Sequence, residues 1–523
     1  MALCEFCGAE EAKTKCTQCC IASYCSKEHQ EKHREIHEKT CHPYIIKQSN
    51  VLGRYLAASR GVTRGEVLLR EKPVALGPQP GSPPVCLGCS NRVAGDLRSC
   101  PACRVAPLCG TASCAGHEAH ECAALANLTS KRPAAMIVLP SQAVLPLRCF
   151  LLQWTNPQQW PAIMALEGHL EERRGTSIWR SVDEGIVRVL CQLGLISAED
   201  REVLQKICAV LDVNSFEVRG PEGEPLRALY PTAALLAHDC APSSGIAHEP
   251  GSTALVIRAA IDLASGDPIT HNYAGALVAT LERRASLRRG KYFECGCGRC
   301  RDPRELGTDL SSLRCPACGE GPVVPEAPLN PASDWRCQGC GHGVSGALAA
   351  ATHSVGRTTL LQCDREDAEG MERLLLRLKR SFYPGNAVLL EVGQVLAGLY
   401  SEESLLWEVS NRPLYALLRR WELCHELLDT LSKLEPGISR TKGVCMHEMA
   451  VSALALSSRC VEREGCDPEE IRAIIQKAET LLLQSIANLI YEPDGSPERK
   501  LVYSAFNSLH KCKYLISRLP TSK

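Results

Sequence analysis

Apolar positions along this 523-residue chain change their period several times. Between 43 and 76 they fall in short extended runs, Tyr55-Leu56-Ala57-Ala58 and Glu66-Val67-Leu68-Leu69. With Gly61 and Gly65 as turn residues, these runs predict strands. A breaker run from Gly77 to Pro84 predicts a linker. Across 130–225 the period is helical, as from Asp183 to Leu193, and short apolar segments return over 226–275. The remainder, about 350–520, reads as successive helices. There Asp467-Pro468-Glu469-Glu470 supplies an N-cap, a first-turn proline and an acidic first turn. Ile471, Ile474, Ile475, Ala478, Leu481 and Leu482 then recur at helical spacing.

Composition narrows the class. The chain is 45% hydrophobic and 23% charged with zero formal net charge, so no global field draws it to nucleic acid or membrane. No apolar run reaches the ~18 residues of a membrane span, and the length predicts about three or more domains. Met-Ala-Leu-Cys opens the chain without the basic and apolar regions of a signal peptide. Cytoplasm or nucleus is therefore the expected location. In those reducing compartments the 31 cysteines, many in Cys-x2-Cys pairs, bind metal rather than form disulfides.

Cys4, Cys7, Cys16, Cys19, Cys25, His29, His37 and Cys41 offer eight ligands for two zinc ions, and His37 and Cys41 share one helix face. Cys86, Cys89, Cys100, Cys103, Cys109 and Cys114, followed by His117, His120 and Cys122, form a second block of the same kind. Cys295, Cys297 and Cys300 are three thiolates short of a fourth, whereas Cys315, Cys318, Cys337 and Cys340 complete a zinc ribbon by themselves. Sets of four protein ligands leave no open position, so these zinc ions are structural.

The first block resembles a MYND zinc finger, including its Tyr24-Cys25-Ser26-Lys27 run. Cross-bracing in that family implies Cys4, Cys7, Cys25 and His29 on one zinc, and Cys16, Cys19, His37 and Cys41 on the other, with Cys20 and His33 spare. The second block resembles another MYND finger with an irregular tail. Glu118 stands where the last histidine would be, which leaves His117 as first choice and His120 as fallback.

Gly53-Arg54-Tyr55, Gly65-Glu66-Val67, Asn214-Ser215-Phe216, His238-Asp239-Cys240-Ala241-Pro242 and Asn272-Tyr273 resemble, in that order, the motifs of a SET domain. With the fingers they resemble the SET-and-MYND (SMYD) family of lysine methyltransferases, most like its arthropod SmydA branch. The resemblance implies an α+β fold: a SET β-fold split by a zinc-finger insertion, with a post-SET zinc knuckle, a ribbon and an all-α C-terminal domain of tetratricopeptide type. The implied boundaries are finger one 1–42, SET start 43–85, finger two 86–122, helical insertion 123–225, SET core 226–280, knuckle 281–304, ribbon 305–348 and helical domain 349–523. Cys240 becomes the fourth knuckle ligand, Tyr273 the catalytic residue, and Arg54, Asn214, His238 and Phe293 the residues that hold S-adenosylmethionine (SAM). About six zinc ions follow. So do a lysine-bearing protein substrate, proline-rich peptides at the fingers and a partner on the helical domain, with neither membrane nor nucleic acid.

The signature loop departs from the family pattern. Ala237 replaces an asparagine that touches SAM, Asp239 a serine and Ser243 a second asparagine. Each lost amide hydrogen bond is worth roughly 0.5–1.5 kcal/mol, so weakened SAM affinity is expected. Arg299 or Arg301 is the expected counter-charge to Asp239. The rival readings are a non-catalytic adaptor that keeps the fold and a zinc-ribbon nucleic-acid binder, which the neutral charge disfavours.

Overall fold

The computed structural model describes residues 3–520 apart from 11, 17–21, 94–97, 111–113, 115, 132, 135–136, 138, 221–222, 250, 403–413 and 462–466. Among the described residues, no helix is long and apolar enough to cross a membrane.

Two stretches far apart in the chain build one β core. Tyr44–Ser49 and Gly53–Ala58 form a hairpin whose strands meet at Ser49 and Gly53. Gly53 has φ of +64°, a conformation glycine adopts without strain. Val67–Glu71 lies at the edge of a second sheet beside Leu255–Ala259, which in turn pairs with Ser244–His248. Leu255, Val256 and Ile257 are consecutive and all buried, so this central strand is covered on both faces. In a third sheet, Pro225–Leu229 runs between Ala75–Pro78 and Phe216–Arg219. Leu56, Leu68, Leu226, Tyr230, Ile257 and Ile269 belong to one buried cluster, which joins the early and late segments. The Tyr230 hydroxyl is satisfied by the Thr253 carbonyl at 2.5 Å.

The breaker run differs from its linker reading at its start. Gly77 and Pro78 belong to a strand and pair with Arg227 and Leu226. Pro78 is tolerated because its strand is at a sheet edge, where a missing N–H breaks no ladder. Gly77 lets the Ser141–Thr155 helix approach: a Cβ there would lie 2.9 Å from Leu145 Cβ.

Between the two halves of the core lies a helical layer. Ser141–Thr155 packs on Arg201–Asn214 through Leu147, Phe150, Leu204, Ile207 and Leu211. The second cysteine block sits against its outer side through Leu87, Leu125 and Val144.

From Gly346 onward the described chain is mainly helical, and Ala368–Leu378, Ala387–Glu402, Leu414–Leu434, Arg440–Val461, Pro468–Leu489 and Pro497–Arg518 each pack on the next. Pro468–Leu489 starts where expected: the Asp467 carboxylate accepts the Glu469 N–H and Pro468 opens the first turn. Ile471, Ile475, Ala478, Leu481 and Leu482 are buried. Ile474 is 43% exposed because it lies on the flank of that stripe. This helical region meets the β core where the Ile438 N–H donates to the Ala260 carbonyl at 3.0 Å. Beside that joint is a cavity of about 260 Å³ lined by Ile246, Arg258, His271, Asn272, Arg440 and Tyr491.

Candidate functional site: five ligand clusters and an aromatic strip

At least five sets of four cysteine or histidine side chains converge among the described residues, each with its ligand atoms within 4.8 Å of one another. They are Cys4, Cys7, Cys25, His29; Cys86, Cys89, Cys109, Cys114; Cys100, Cys103, His117, Cys122; Cys240, Cys295, Cys297, Cys300; and Cys315, Cys318, Cys337, Cys340. A tetrahedron with metal–sulfur bonds of ~2.3 Å has edges of ~3.8 Å, while a disulfide needs ~2.05 Å. Cys7–Cys25 at 3.7 Å, Cys86–Cys114 at 3.6 Å, Cys100–Cys122 at 3.7 Å, Cys240–Cys295 at 3.8 Å and Cys318–Cys337 at 3.8 Å match the first figure. Donor chemistry and spacing thus fit zinc.

The irregular tail of the second block places its ligands as follows. Turn Ser26 caps the first finger's helix, whereas here Ala119–Thr129 starts just past His117. His117 Nε2 lies 3.5 Å from Cys103 Sγ, and its Nδ1 faces Glu121 at 3.6 Å. Arg148 Nε holds that carboxylate at 2.7 Å. A carboxylate behind the ring favours the tautomer that leaves Nε2 free for a metal. His120 is exposed and outside the cluster. In the first block Cys16 and Cys41 sulfurs are 3.9 Å apart and His37 is buried, while Cys19 and Cys20 lie outside the described residues. His33 Nδ1 meets the Tyr24 hydroxyl at 3.2 Å.

The Cys240 cluster ties the signature loop to the segment after Thr280–Lys291. Arg283 on that helix is fully buried, donating from Nε to Cys240 Sγ at 2.9 Å and from Nη2 to Cys300 Sγ at 3.3 Å. Four thiolates around a divalent ion leave two negative charges, and this guanidinium offsets part of them. Without a cation the four cannot all ionise: hydrogen bonding to Cys295, Cys297 and Cys300 holds the Cys240 thiol far above its ordinary range. Behind Arg283, Glu305 accepts from Arg283 Nη1 and from Arg299 Nε, each at 3.1 Å. Asp239 meets neither expected arginine. Its carboxylate accepts the Ala241 N–H at 2.8 Å, and burial raises its pKa. Arg299 is held instead by Glu305 and the Cys240 carbonyl, and Arg301 by the Gly296 carbonyl five residues back. Ser243 joins strands instead, donating to the Pro268 carbonyl and accepting from Thr270 N–H at 2.9 Å.

Ala237–His238 pairs in parallel with Thr270–His271, which brings the two signature segments together. The His238 ring centroid lies 5.1 Å from that of Tyr273 and 5.6 Å from that of Phe293. His238 Nδ1 accepts the Tyr273 N–H at 3.1 Å. Burial lowers the imidazole pKa to about 4, so the ring is neutral. The Tyr273 ring is partly exposed, but its hydroxyl is enclosed and donates to the Leu236 carbonyl. Burial raises that phenol's pKa. Arg54 Nη2 donates to the Ala165 carbonyl at 2.5 Å, and Asn214 Nδ2 to the Glu167 carbonyl at 2.7 Å. Both therefore anchor on one turn. His169 of that turn stacks on Tyr292 at 4.7 Å, next to Phe293. Arg54 and Asn214 thus connect to the His238, Tyr273 and Phe293 rings only through this segment and Tyr292.

Arg283, Glu305 and Lys291 were missed by sequence reasoning. The arginine-rich run over 280–291 carries no local signal of burial. The signal available was a paired arginine just before a thiolate cluster that needs a counter-charge.

A MYND finger family model matches residues 4–41. SET domain-containing protein SmydA-8 of Drosophila melanogaster is 31% identical over 312 residues in isoform B and 28% over 306 in isoform A. These matches cover 56% and 57% of this chain, and 66% and 64% of the relatives. The chain thus spans somewhat under two thirds of their length. Histone-lysine N-methyltransferase ASHR1 of Arabidopsis thaliana is 26% identical over 278 residues, covering 47% of this chain and 53% of its own.

Proposed function

The chain belongs to the SET-and-MYND (SMYD) family and is SmydA-like, and from that premise we propose that it is a SAM-dependent protein-lysine methyltransferase of weakened SAM affinity. The observation that carries this reading is the meeting of His238, Tyr273 and Phe293 rings beside the Cys240 cluster. In this reading the split β core over 43–85 and 226–280 is the SET domain, 86–122 and 123–225 are its insertions, and 349–523 is the tetratricopeptide-like domain.

The residues fit SAM. Aromatic faces suit an adenine and attract a sulfonium cation, and Arg54 and Asn214 add a guanidinium and an amide to the donor set. When bound, SAM supplies an electrophilic methyl group. The chain's own part is positioning, which can lower a barrier by roughly 7–11 kcal/mol when reacting atoms are held in line. Tyr273 orients the incoming amine, its hydroxyl held by Leu236. The buried aromatic surroundings disfavour an ammonium against its free pKa near ~10.4, so the lysine enters neutral. Neutral His238 holds Tyr273 by its backbone.

One specific observation favours the adaptor as second reading. Asn214 already spends its amide on Glu167 and Val210 carbonyls, Arg54 is engaged by Ala165, and Ala237 offers no amide. Calorimetric titration of SAM decides. We expect measurable but weak binding, tightened by about 1 kcal/mol or more in Ala237→Asn, and methyl transfer abolished in Tyr273→Phe. No heat in either wild type or Ala237→Asn would favour the adaptor. Tight binding unaffected by Ala237→Asn would show the loop departures to be harmless.

Zinc is the second test. Two ions in each finger, one in the knuckle and one in the ribbon make about six per chain. Elemental analysis of the purified protein should return that number, and two or fewer would sink the assignment.

A further inference from the structure

One charged side chain reaches the aromatic strip from within the chain. Lys291 ends the Thr280–Lys291 helix, and its Nζ lies 5.4 Å from the centroid of the Tyr273 ring, over its face. The same nitrogen donates to the carbonyl of Val213, the neighbour of Asn214. It therefore stands where the residues assigned to SAM meet the residue assigned to the substrate amine. Two residues on, Phe293 packs on His238. Between them Tyr292 adopts a left-handed backbone, φ 60°, an uncommon conformation for an aromatic residue and a costly one unless its surroundings hold it. That turn points Lys291 and Phe293 to the same strip. A cavity of about 440 Å³, lined by Asp212, Phe216, Arg227, Arg289, Gly290 and Tyr292, opens directly beside it.

A lysine that caps a helix-terminal carbonyl is ordinary, and Val213 is in the last turn of Arg201–Asn214. The Tyr273 face is not part of that role. Burial, with Arg227 adding to it and Asp212 opposing, lowers the Lys291 pKa. Burial favours the neutral amine that methyl transfer needs, while the aromatic face and the carbonyl hold the nitrogen in place.

We propose that Lys291 is itself a methyl acceptor of this site, a lysine held in cis where an incoming substrate lysine would stand. The inference rests on the methyltransferase reading above. Lys291 sheds a proton to water, and its nitrogen lone pair forms an N–C bond as the donor's S–C bond breaks. The donor leaves as the thioether S-adenosylhomocysteine. An external lysine must first displace Lys291 toward the neighbouring cavity, so the residue also restrains the enzyme.

The test needs no external substrate. Full-length, zinc-loaded protein is incubated with SAM carrying a deuterated methyl group, and its lysine peptides are read by mass spectrometry. We expect the label on Lys291. Tyr273→Phe should abolish it, as it abolishes transfer to an external lysine, since positioning is lost. Lys291→Arg, which keeps the Val213 contact, and Lys291→Met should carry no label elsewhere in its place. A second readout does not depend on activity. Trace acylation of the protein with acetic anhydride should mark Lys291 several-fold less once S-adenosylhomocysteine is added to saturation, while exposed Lys72 is unchanged. Calorimetry separates the two layers. Binding of SAM without label on Lys291, or acylation of Lys291 indifferent to bound S-adenosylhomocysteine, would overturn this inference and leave the methyltransferase reading standing. No SAM binding at all would overturn both.

Discussion

Cys240→Ser should release one zinc ion, lower stability by several kcal/mol and abolish SAM binding together. Its sulfur is the only ligand that the signature loop contributes to a cluster otherwise drawn from 295–300. Metal sites of this kind contribute roughly 10–16 kcal/mol of apparent binding free energy, which here joins two distant segments. The loss extends beyond the metal. Arg283 Nε bonds Cys240 Sγ at 2.9 Å, and serine would weaken that contact, although Glu305 still partners the guanidinium. His238 is two residues away with Nε2 3.3 Å from the same sulfur, so the ring that holds Tyr273 moves with it. Elemental analysis, calorimetric unfolding and SAM titration on one preparation test all three effects. Cys337→Ser is the control: it removes a ribbon ligand and one zinc, yet should leave SAM binding intact, because the ribbon shares no ligand with the signature loop. A folded Cys240→Ser protein with its zinc count unchanged would show the cluster to be built otherwise.

The parts of this molecule visible in its sequence are those in which chemistry is tied to spacing. A Cys-x2-Cys turn aims two sulfurs at one point whatever surrounds it, so Cys315, Cys318, Cys337 and Cys340 could be grouped without coordinates. The Asp467-Pro468 start of its helix is equally local. What spacing could not supply was choice between neighbours. His117 and His120 differ only in which side of a turn they occupy, and the Glu121–Arg148 pair that backs His117 comes from two separate helices. Gly77 and Pro78 read as breakers because a sequence does not reveal that their strand is an edge crossed closely by a helix.

Charge was the least legible feature. Arg283 carries no local signal of burial and Arg299 was expected beside Asp239, yet each is about as buried as the core leucines. Their burial follows from the sulfur cluster, which concentrates negative charge where no water reaches. The expected partner for Asp239 failed for a related reason. A carboxylate in a tight turn is met most cheaply by the backbone N–H two residues on, here Ala241, before any side chain need approach. Lys291 was hidden likewise, because its contacts with Tyr273 and Val213 join residues distant in sequence.

Glu305→Ala should be among the most destabilising single changes in the chain, lowering stability by about 3–5 kcal/mol. Its carboxylate is 1% exposed and takes hydrogen bonds from Arg283, Arg299, Ser311 and the Thr280 N–H. Alanine would leave two buried guanidinium groups facing each other without their shared carboxylate, with only the Cys240 and Cys300 sulfurs beside Arg283. Glu305→Gln keeps the shape and one oxygen, so it should cost less while still losing the charge. The acid side of the stability profile separates charge from shape. Burial alone would raise the Glu305 pKa, but Arg283 and Arg299 outweigh it and hold the value below that of a free carboxylate. A depressed pKa means the stabilisation is fully present above the unfolded value near ~4.3 and is lost as pH falls through the folded one. Zinc ligands also protonate in acid, so the informative quantity is the difference between wild type and Glu305→Gln in urea unfolding. That difference should be constant at neutral pH and shrink on acidification below the free-carboxylate range. A difference independent of pH down to the loss of zinc would mean that Glu305 acts through its hydrogen bonds alone. A midpoint unchanged in Glu305→Ala would show that the two arginines find other anions, the Cys240 and Cys300 thiolates first among them.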